Sequence, residues 1–238
     1  MSISTSIFSI YFGGQQTSYI DDSLHGYSQQ EIMQLPGYKE FCDQNGCEKL
    51  VILEQVHGNS GYQVLEDKDA NITPYSVDGD YIISTISGVA FVIETADCVP
   101  VVLVDTVSGV VANAHAGWRG AVSGVVTNAV RDMLACGSKL ENVQAYFGPA
   151  ARSCCYEVSP DFLDKFESGT SQSYFNQRDS KLYFDNTLFI ISQLEKLGIA
   201  QKNIVAEYAV CTVCSEVYCS FRRQGDLNLR QMTIVALK

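Results

Sequence analysis

Residues 88–116, GVAFVIETADCVPVVLVDTVSGVVANAHA, are the most regular part of the sequence and indicate its fold class. They contain three short runs rich in β-branched residues, separated by turn-forming residues: Gly88–Glu94, Val99–Asp105 and Gly109–Ala114. Apolar runs of this length predict neighbouring strands that are largely buried. We therefore expect this segment to form the middle of a β-sheet.

Helices and further strands are predicted on the C-terminal side of this segment. Three stretches carry helical signals: Ala121–Leu134, a stretch beginning at Ser159-Pro160, and Asp185 to Leu197 with Gly198 as its stop. Three others have the composition of strands: Ile204–Cys211, Val217–Phe221 and Met232–Leu237. Glu167–Lys181 is polar enough to be a surface excursion. Because strands and helices mix without strict alternation, residues 1–238 are predicted to form one α/β (α+β) domain, a mixed β-sheet sandwich flanked by helices.

The charge balance narrows the classes of partner. The 238 residues include 16 Lys and Arg against 27 Asp and Glu, which gives a formal net charge of −11. Such a chain has little attraction for a nucleic-acid backbone, whereas a local group of arginines could still bind a small anionic substrate. No apolar run is long enough to span a membrane, and the first residues lack a basic leader segment. We expect a cytoplasmic protein with a small-molecule substrate and no nucleic-acid or membrane partner, and the sequence predicts no oligomeric state.

The nine cysteines are an odd number in a chain that is long for a disulfide scaffold. We therefore expect free thiols, most of them packed as small apolar side chains. Cys211 and Cys214 form a single C-x-x-C pair, which without a second pair is interpreted as packing. The adjacent Cys154 and Cys155 receive no assignment.

Two histidines and one cysteine form the candidate site. His57 lies in EQVHGN, Cys98 in ETADCVP and His115 in NAHAGWRG, whereas His25 is interpreted as a surface or packing residue. If the strands beside Cys98 and His115 are neighbours, both side chains lie at the same edge of the sheet. One Cys with two His is an established zinc ligand set that leaves the fourth tetrahedral position open for catalysis. A Cys–His nucleophilic pair without a metal fits the same residue types.

Charged residues beside these positions are candidate catalytic groups. Asp97 could act as a general acid or base, orient a metal ligand, or cap a strand. Arg119 precedes a predicted helix, where it and free backbone N–H groups could bind an anion, or it could form a structural ion pair. Asp78 and Asp80 could contact a sugar hydroxyl, but a turn before a strand is the simpler interpretation.

The motifs around these residues resemble a known family. In chain order, from about Gln55 onward, they are QVHG, DGDYIIS, TADCVPVVLVD, AHAGWRG, GPA followed by CCYEV, and CT…FRRQG…R. This set is similar to the YfiH-type family, whose members have been called laccase-domain proteins or multicopper polyphenol oxidases and later purine nucleoside phosphorylases. The resemblance implies zinc bound by His57, Cys98 and His115. It also implies phosphorolysis of adenosine, inosine, guanosine or methylthioadenosine to the base and ribose 1-phosphate, with adenosine deamination in the same pocket.

The early part of the chain departs from the family pattern. Members usually carry an arginine before the first Gly-Gly, and this chain has Tyr11 there. Phosphorolysis is the expectation that this change puts in question. Two alternatives stay open: copper in place of zinc with polyphenol oxidase activity, and hydrolysis of peptidoglycan precursors with Cys98 as nucleophile. A multicopper centre needs many histidines, however, and the chain has three.

Overall fold

The computed structural model describes residues 1–20, 23–166, 172–225 and 229–238. Its strands are β1 Ser2–Ser4, β2 Phe8–Phe12, β3 Tyr19–Ile20, β4 Lys49–Ile52, β5 Gly61–Val64, β6 Tyr81–Ser84, β7 Val89–Thr95, β8 Val99–Asp105, β9 Val110–Ala116, β10 Val143–Phe147, β11 Glu157–Val158, β12 Phe175–Arg178, β13 Lys181–Phe184, β14 Ile204–Val205 and β15 Leu229–Leu237. Its α-helices are α1 Gln29–Met33, α2 Tyr38–Asn45, α3 Trp118–Val122, α4 Val125–Ala135, α5 Asn186–Leu197 and α6 Phe221–Gln224. Within these described ranges, no helix combines the length and the apolar composition needed to span a bilayer.

Two large sheets form the sandwich. The first has the strand order β1-β2-β15-β7-β4, with β3 also paired to β15, and the second has the order β14-β10-β8-β9-β6-β5. A smaller sheet has the order β11-β13-β12. In the first large sheet β4 runs parallel to β7, and in the second β8 runs antiparallel to β9, so the strand directions are mixed. The predicted α/β fold, a mixed sandwich with flanking helices, is confirmed.

Both faces of the central strand β8 are covered. Val102 and Val104 pack in one cluster with residues of the first sheet such as Phe91. Val101 and Leu103 belong to a different cluster, which includes residues of α4 and α5. A third cluster lies between the first sheet and helices α1 and α2. The layers are therefore helices, sheet, sheet and helices, which explains why β8 is apolar along its length instead of alternating.

A buried asparagine joins the two large sheets. Asn113 of β9 donates from Nδ2 to the carbonyl oxygens of Phe91 in β7 and Thr233 in β15, at 2.9 Å each. The Asn113 side chain is fully buried in the sandwich. Because a buried polar group is costly unless it is hydrogen-bonded, these two bonds favour one offset of the sheets over others.

The helix predictions are confirmed, except that the first predicted helix is divided into two. Ala121–Leu134 lies over two helices, α3 and α4, because Gly124 between them has a left-handed φ of 86°. The second predicted helix is the 3-10 helix Pro160–Lys165, and α5 ends at Gly198 as expected. Residues 167–171 of the predicted polar excursion lie outside the described residues, and its later part forms β12.

Two of the predicted late strands are wrong in part or in whole. Only Ile204–Val205 of the segment Ile204–Cys211 pairs with β10, because a turn follows in which the Ala209 N–H donates to the Ala206 carbonyl. Val217–Phe221 is not a strand, because Ser220 caps the start of α6 with its side chain.

Asn113→Asp tests the connection between the sheets. An aspartate cannot donate to the two carbonyl oxygens and places an unpaired charge in the core, so we expect a loss of about 3 kcal/mol or more in the free energy of unfolding. Denaturant titration measures this loss. Asn176→Asp, on the exposed strand β12, is the matched control and should change stability little. Equal effects of the two substitutions would contradict the role given to Asn113.

Candidate metal centre

Three predicted site residues converge at one end of the central strands of the second sheet. Cys98 immediately precedes β8 and His115 lies near the end of β9, and the antiparallel register that pairs Pro100 with His115 places both residues at the same end of this strand pair. His57 lies in the loop after β4, which runs beside residues 78–80 through a bridge between Glu54 and Asp78. The structure thus brings together residues that are far apart in the sequence.

The donor atoms of these three residues are close enough for one metal ion. The Cys98 Sγ lies 3.8 Å from His57 Nε2, and the donor atoms of all three residues lie within 4.8 Å of one another. Donors around one tetrahedral zinc lie roughly 3.5 Å apart, given zinc bonds of about 2.0–2.3 Å. A Cβ on Gly117 would lie 2.9 Å from His57 Cδ2 and 3.2 Å from Cys98 Sγ, so the glycine permits this approach. The residues present fit a three-donor metal site.

Asp80 holds two of the candidate ligands in place. Its Oδ1 lies 2.8 Å from His115 Nδ1 and accepts from the His57 N–H at 3.0 Å, while its Oδ2 accepts from the Gly58 N–H at 2.6 Å. Because His115 Nδ1 is engaged by the carboxylate, Nε2 is the nitrogen available to a metal. Asp80 lies in the turn before β6, as the simpler interpretation of the sequence has it, but it is fully buried and its carboxylate faces the candidate ligands instead of solvent. Its position in DGD directly before β6 was the signal.

The electrostatics of the site favour a thiolate beside an imidazolium when no metal is bound. Burial raises the pKa of the Cys98 thiol, but His115 and His57 outweigh it and lower that pKa to about 6. Burial lowers the pKa of His115, but Cys98 and Asp80 raise it to about 9. A bound cation would replace the proton on His115 as the partner of the thiolate, which is how metal binding displaces protons from such sites.

Two residues at the site have left-handed backbone conformations that non-glycine residues seldom adopt. The φ angle is 58° at His57 and 79° at Asp97. The hydrogen bonds to Asp80 hold the first of these turns. Backbone of this kind persists only where the surrounding structure over-determines it, and it concentrates at functional sites.

The candidate metal centre opens into a cavity of about 690 Å³. Aromatic side chains form part of its wall: Tyr75, Trp118, Tyr156 and Phe221. Arginines of the described chain also line it: Arg119, Arg222 and Arg230. Three acidic residues, Glu54, Glu94 and Asp97, line the same cavity, so the arginines face it together with carboxylates. The cavity can therefore receive a flat aromatic group and an anion together.

The two predicted catalytic residues both line this cavity. The Arg119 guanidinium carbon lies 4.6 Å from the centre of the Trp118 ring. The Asp97 carboxylate accepts a hydrogen bond from the Thr212 hydroxyl and one from the backbone N–H of Arg222, the latter at 2.8 Å. Asp97 therefore also holds the C-terminal segment against the cavity. Catalysis by either residue stays a prediction.

Buried polar atoms in the cavity wall extend the site beyond the residues that the sequence indicated. Thr95 Oγ1 and Asn186 Oδ1 are buried and have no hydrogen-bond partner within the described parts of the chain. Asn186 Nδ2 is already engaged, because it donates to the Ala116 carbonyl oxygen at 2.9 Å. Since buried polar atoms are usually hydrogen-bonded, these two are candidates for contacts to a ligand. Thr95 is the first residue of the TADCVPVVLVD motif but was not singled out there, and Asn186 lies in none of the motifs.

Two further residues that the sequence analysis discussed have defined surroundings. His25 is exposed and stacks on Tyr75 with 4.3 Å between the ring centres, which agrees with a surface or packing residue; it also lines the cavity, and its Nε2 lies 3.5 Å from Glu54 Oε2. Tyr11 is not among the described residues that line the cavity, and its hydroxyl lies 3.2 Å from Thr17 Oγ1. Tyr11 in place of the family's arginine therefore does not alter the lining of the cavity, which includes Arg119, Arg222 and Arg230.

Comparison with known proteins identifies the family. Residues 34–238 match the sequence profile described as multi-copper polyphenol oxidoreductase laccase, and the chain belongs to this family. A protein of Borreliella burgdorferi named purine nucleoside phosphorylase is 34% identical over 179 residues, which cover 74% of each chain. Adenosine deaminase RL5, from an unknown prokaryotic organism, is 32% identical over 163 residues, 65% of this chain and 60% of that protein. These names support nucleoside processing at the level of the family.

A solved structure shows the same fold. YlmD from Geobacillus stearothermophilus superposes with a TM-score of 0.80 at 23% sequence identity, and the match covers 100% of this chain and 92% of that one. YfiH from Bacillus licheniformis superposes with a TM-score of 0.78 at 24% identity over 97% of this chain and 93% of that one, so the fold is YfiH-like, as the sequence motifs implied. This likeness concerns the architecture and carries no statement about activity.

Asp80→Asn tests the support of the metal centre. The amide keeps the shape of the side chain, but it has one fewer acceptor and no charge, so His115 loses its carboxylate partner. We expect metal affinity to fall roughly 10–100-fold, measured by competition with a chromogenic chelator. Asp78→Asn, two residues earlier on an exposed position, is the control and should bind metal as the native protein does. Unchanged affinity in Asp80→Asn would contradict the assignment.

The alkylation of Cys98 should depend on both pH and metal. In metal-free protein the rate should fall as the pH drops through about 6, because the thiolate is present only above that pKa. Cys136, whose pKa is raised by burial, should react only under more alkaline conditions and serves as the internal control. Bound zinc should protect Cys98, as mass spectrometry of labelled peptides can measure. Rapid labelling of Cys98 in zinc-loaded protein would instead favour the hydrolase hypothesis.

Proposed function

We propose that this protein is a zinc-dependent purine nucleoside phosphorylase that cleaves adenosine, inosine, guanosine or methylthioadenosine and also deaminates adenosine. One observation carries the proposal: a single cavity combines a three-donor metal site, aromatic walls and arginines. Each part corresponds to one part of the reaction, since a purine is flat and aromatic and phosphate is an anion. The names of the relatives agree with this chemistry.

Zinc is the metal that the donor set favours. Two imidazoles and one thiolate suit zinc, and three protein donors leave one coordination position on the cavity side. When bound, zinc would supply Lewis acidity at that position. Copper also binds such donors, but the chain has three histidines in all, too few for several copper centres.

The arginines are proposed to hold phosphate. In phosphorolysis a phosphate oxygen forms a bond to C1′ of the ribose while the bond from C1′ to the purine nitrogen breaks, and the base leaves. Arg119 and Arg222 lie on the cavity wall beside Trp118 and Tyr156, where charge-assisted hydrogen bonds can orient the phosphate and the rings can pack against the purine. Exclusion of water from the cavity would strengthen the hydrogen bonds between the arginines and phosphate.

Asp97 is proposed as the proton carrier for deamination. Water adds to C6 of adenine and ammonia leaves, so a proton must move from the water to the amino group. Asp97 precedes Cys98 in the chain and lines the cavity. The hydrogen bonds from the Thr212 hydroxyl and from the backbone N–H of Arg222 hold the Asp97 carboxylate in one orientation, which a general acid or base requires.

Zinc-loaded protein is expected to convert inosine and phosphate to hypoxanthine and ribose 1-phosphate, with little base released when phosphate is left out. Arg119→Gln should raise the KM for phosphate roughly 10-fold or more, since a charge-assisted contact is lost. Arg131→Gln, on the exposed face of α4, is the control and should leave the KM unchanged. Chromatography of the purine products measures both.

The same assay separates the alternatives. Adenosine without phosphate should yield inosine, whereas phenol oxidation that follows copper loading would support the polyphenol oxidase hypothesis. If zinc-loaded protein left adenosine, inosine and guanosine unchanged in the presence of phosphate, the proposed function would be wrong.

A further inference from the structure

Four cysteines outside the cavity come together from two distant segments. Cys154 and Cys155 lie in the turn after β10, and Cys211 and Cys214 lie in the loop after β14. The two segments are joined by backbone hydrogen bonds: the Ala150 N–H donates to Val210, and the Thr212 N–H donates back to Ala150, both at 3.1 Å. This pairing sets the thiols side by side.

The four sulfur atoms have the spacing of a metal site. The Sγ of Cys214 lies 3.1 Å from that of Cys155 and 3.5 Å from that of Cys154, and all four sulfurs lie within 4.8 Å of one another. Four thiolates at about 2.3 Å around a tetrahedral zinc lie roughly 3.8 Å apart. We propose that Cys154, Cys155, Cys211 and Cys214 bind a second zinc ion, in a closed structural site separate from the candidate metal centre.

Burial does not explain this cluster. Cys211 is buried, but Cys154 and Cys214 are exposed, so the C-x-x-C pair is not simply the apolar packing expected from the sequence. The Cys211 sulfur also accepts hydrogen bonds from the backbone N–H groups of Arg152 and Cys214. Exposed thiols that converge around a hydrogen-bonded sulfur are typical of a ligand set.

Cations lie beside both segments. Four thiolates around one Zn²⁺ leave a net charge of −2, which nearby cations would stabilise. Arg178 donates to the Cys154 carbonyl oxygen at 2.8 Å. The Arg223 guanidinium donates to the carbonyl oxygens of Thr212 and Ser215 at 2.7 Å each, on either side of Cys214.

The second site would hold one wall of the cavity in place. Tyr156 follows Cys155 directly and lies under the Arg222 guanidinium, 4.4 Å from its carbon atom. Thr212 follows Cys211 directly, and its hydroxyl donates to Asp97. A metal that ties the two segments together would therefore also fix the position of groups that line the cavity.

Zinc content of the full-length protein, purified with a reductant, tests the proposal. We expect two zinc ions per chain in the native protein and one in the double variant Cys154→Ser/Cys214→Ser. His57→Ala should also lower the count, but from the other site. Cys136→Ser, a half-buried cysteine outside the cluster, is the matched control and should keep two. Replacement by Co²⁺ adds a spectroscopic signature, because the double variant should lose about four fifths of the thiolate-to-cobalt absorption, four of five thiolate ligands.

A single variant keeps the test decisive if the double variant fails to fold. Cys154→Ser retains three ligands and should release one zinc to a chelator at least roughly 10-fold more readily than the native protein.

One zinc per chain in the native protein, lost on His57→Ala, would overturn the proposal and leave the proposed function standing. A disulfide between Cys155 and Cys214 in the reduced preparation, found by mass spectrometry, would overturn it as well. Two zinc ions without nucleoside cleavage would support this site and contradict the proposed function.

Discussion

The antiparallel pairing of β8 with β9 is the contact on which both the core and the candidate metal centre depend. Each strand is buried on its two faces, so the pair sits between the first sheet and helices α4 and α5. The register that sets Pro100 opposite His115 also sets Cys98 beside the turn that follows β9. A shift of one residue would turn every side chain to the opposite face and separate the two candidate ligands. Packing in the core thus determines the geometry of the site.

The buried carboxylate of Asp80 also determines the positions of the candidate ligands His57 and His115. It accepts two backbone N–H groups from the loop that carries His57 and also contacts His115 Nδ1. One ionised group therefore joins a loop to a strand, and its interaction with His115 is strong because both lie away from water. The cost of burying the charge is offset by these three contacts. An exposed carboxylate could not position a loop in this way.

Much of this arrangement could be predicted from the sequence. The apolar runs identified β7, β8 and β9, and the ordered motifs identified His57, Cys98 and His115. Asp80 was assigned a different role, because a DGD turn before a strand has the same composition whether its carboxylate points inward or outward. The cysteine cluster was also missed, because 56 positions separate Cys155 from Cys211 and a single C-x-x-C pair carries little information about a second one.

The apolar core strands, the helical segments and the residue types of the candidate site can be read from the chain alone, because these follow from local periodicity and from the chemistry of single side chains. Which polar groups contact one another depends on the folded arrangement of the whole chain. The contacts of Asp80 with His115, of Asp97 with Thr212 and of the four cysteines with one another all join segments that are distant in the chain. Such contacts depend on strand order and loop path, which the global packing of the chain selects and which no local pattern encodes.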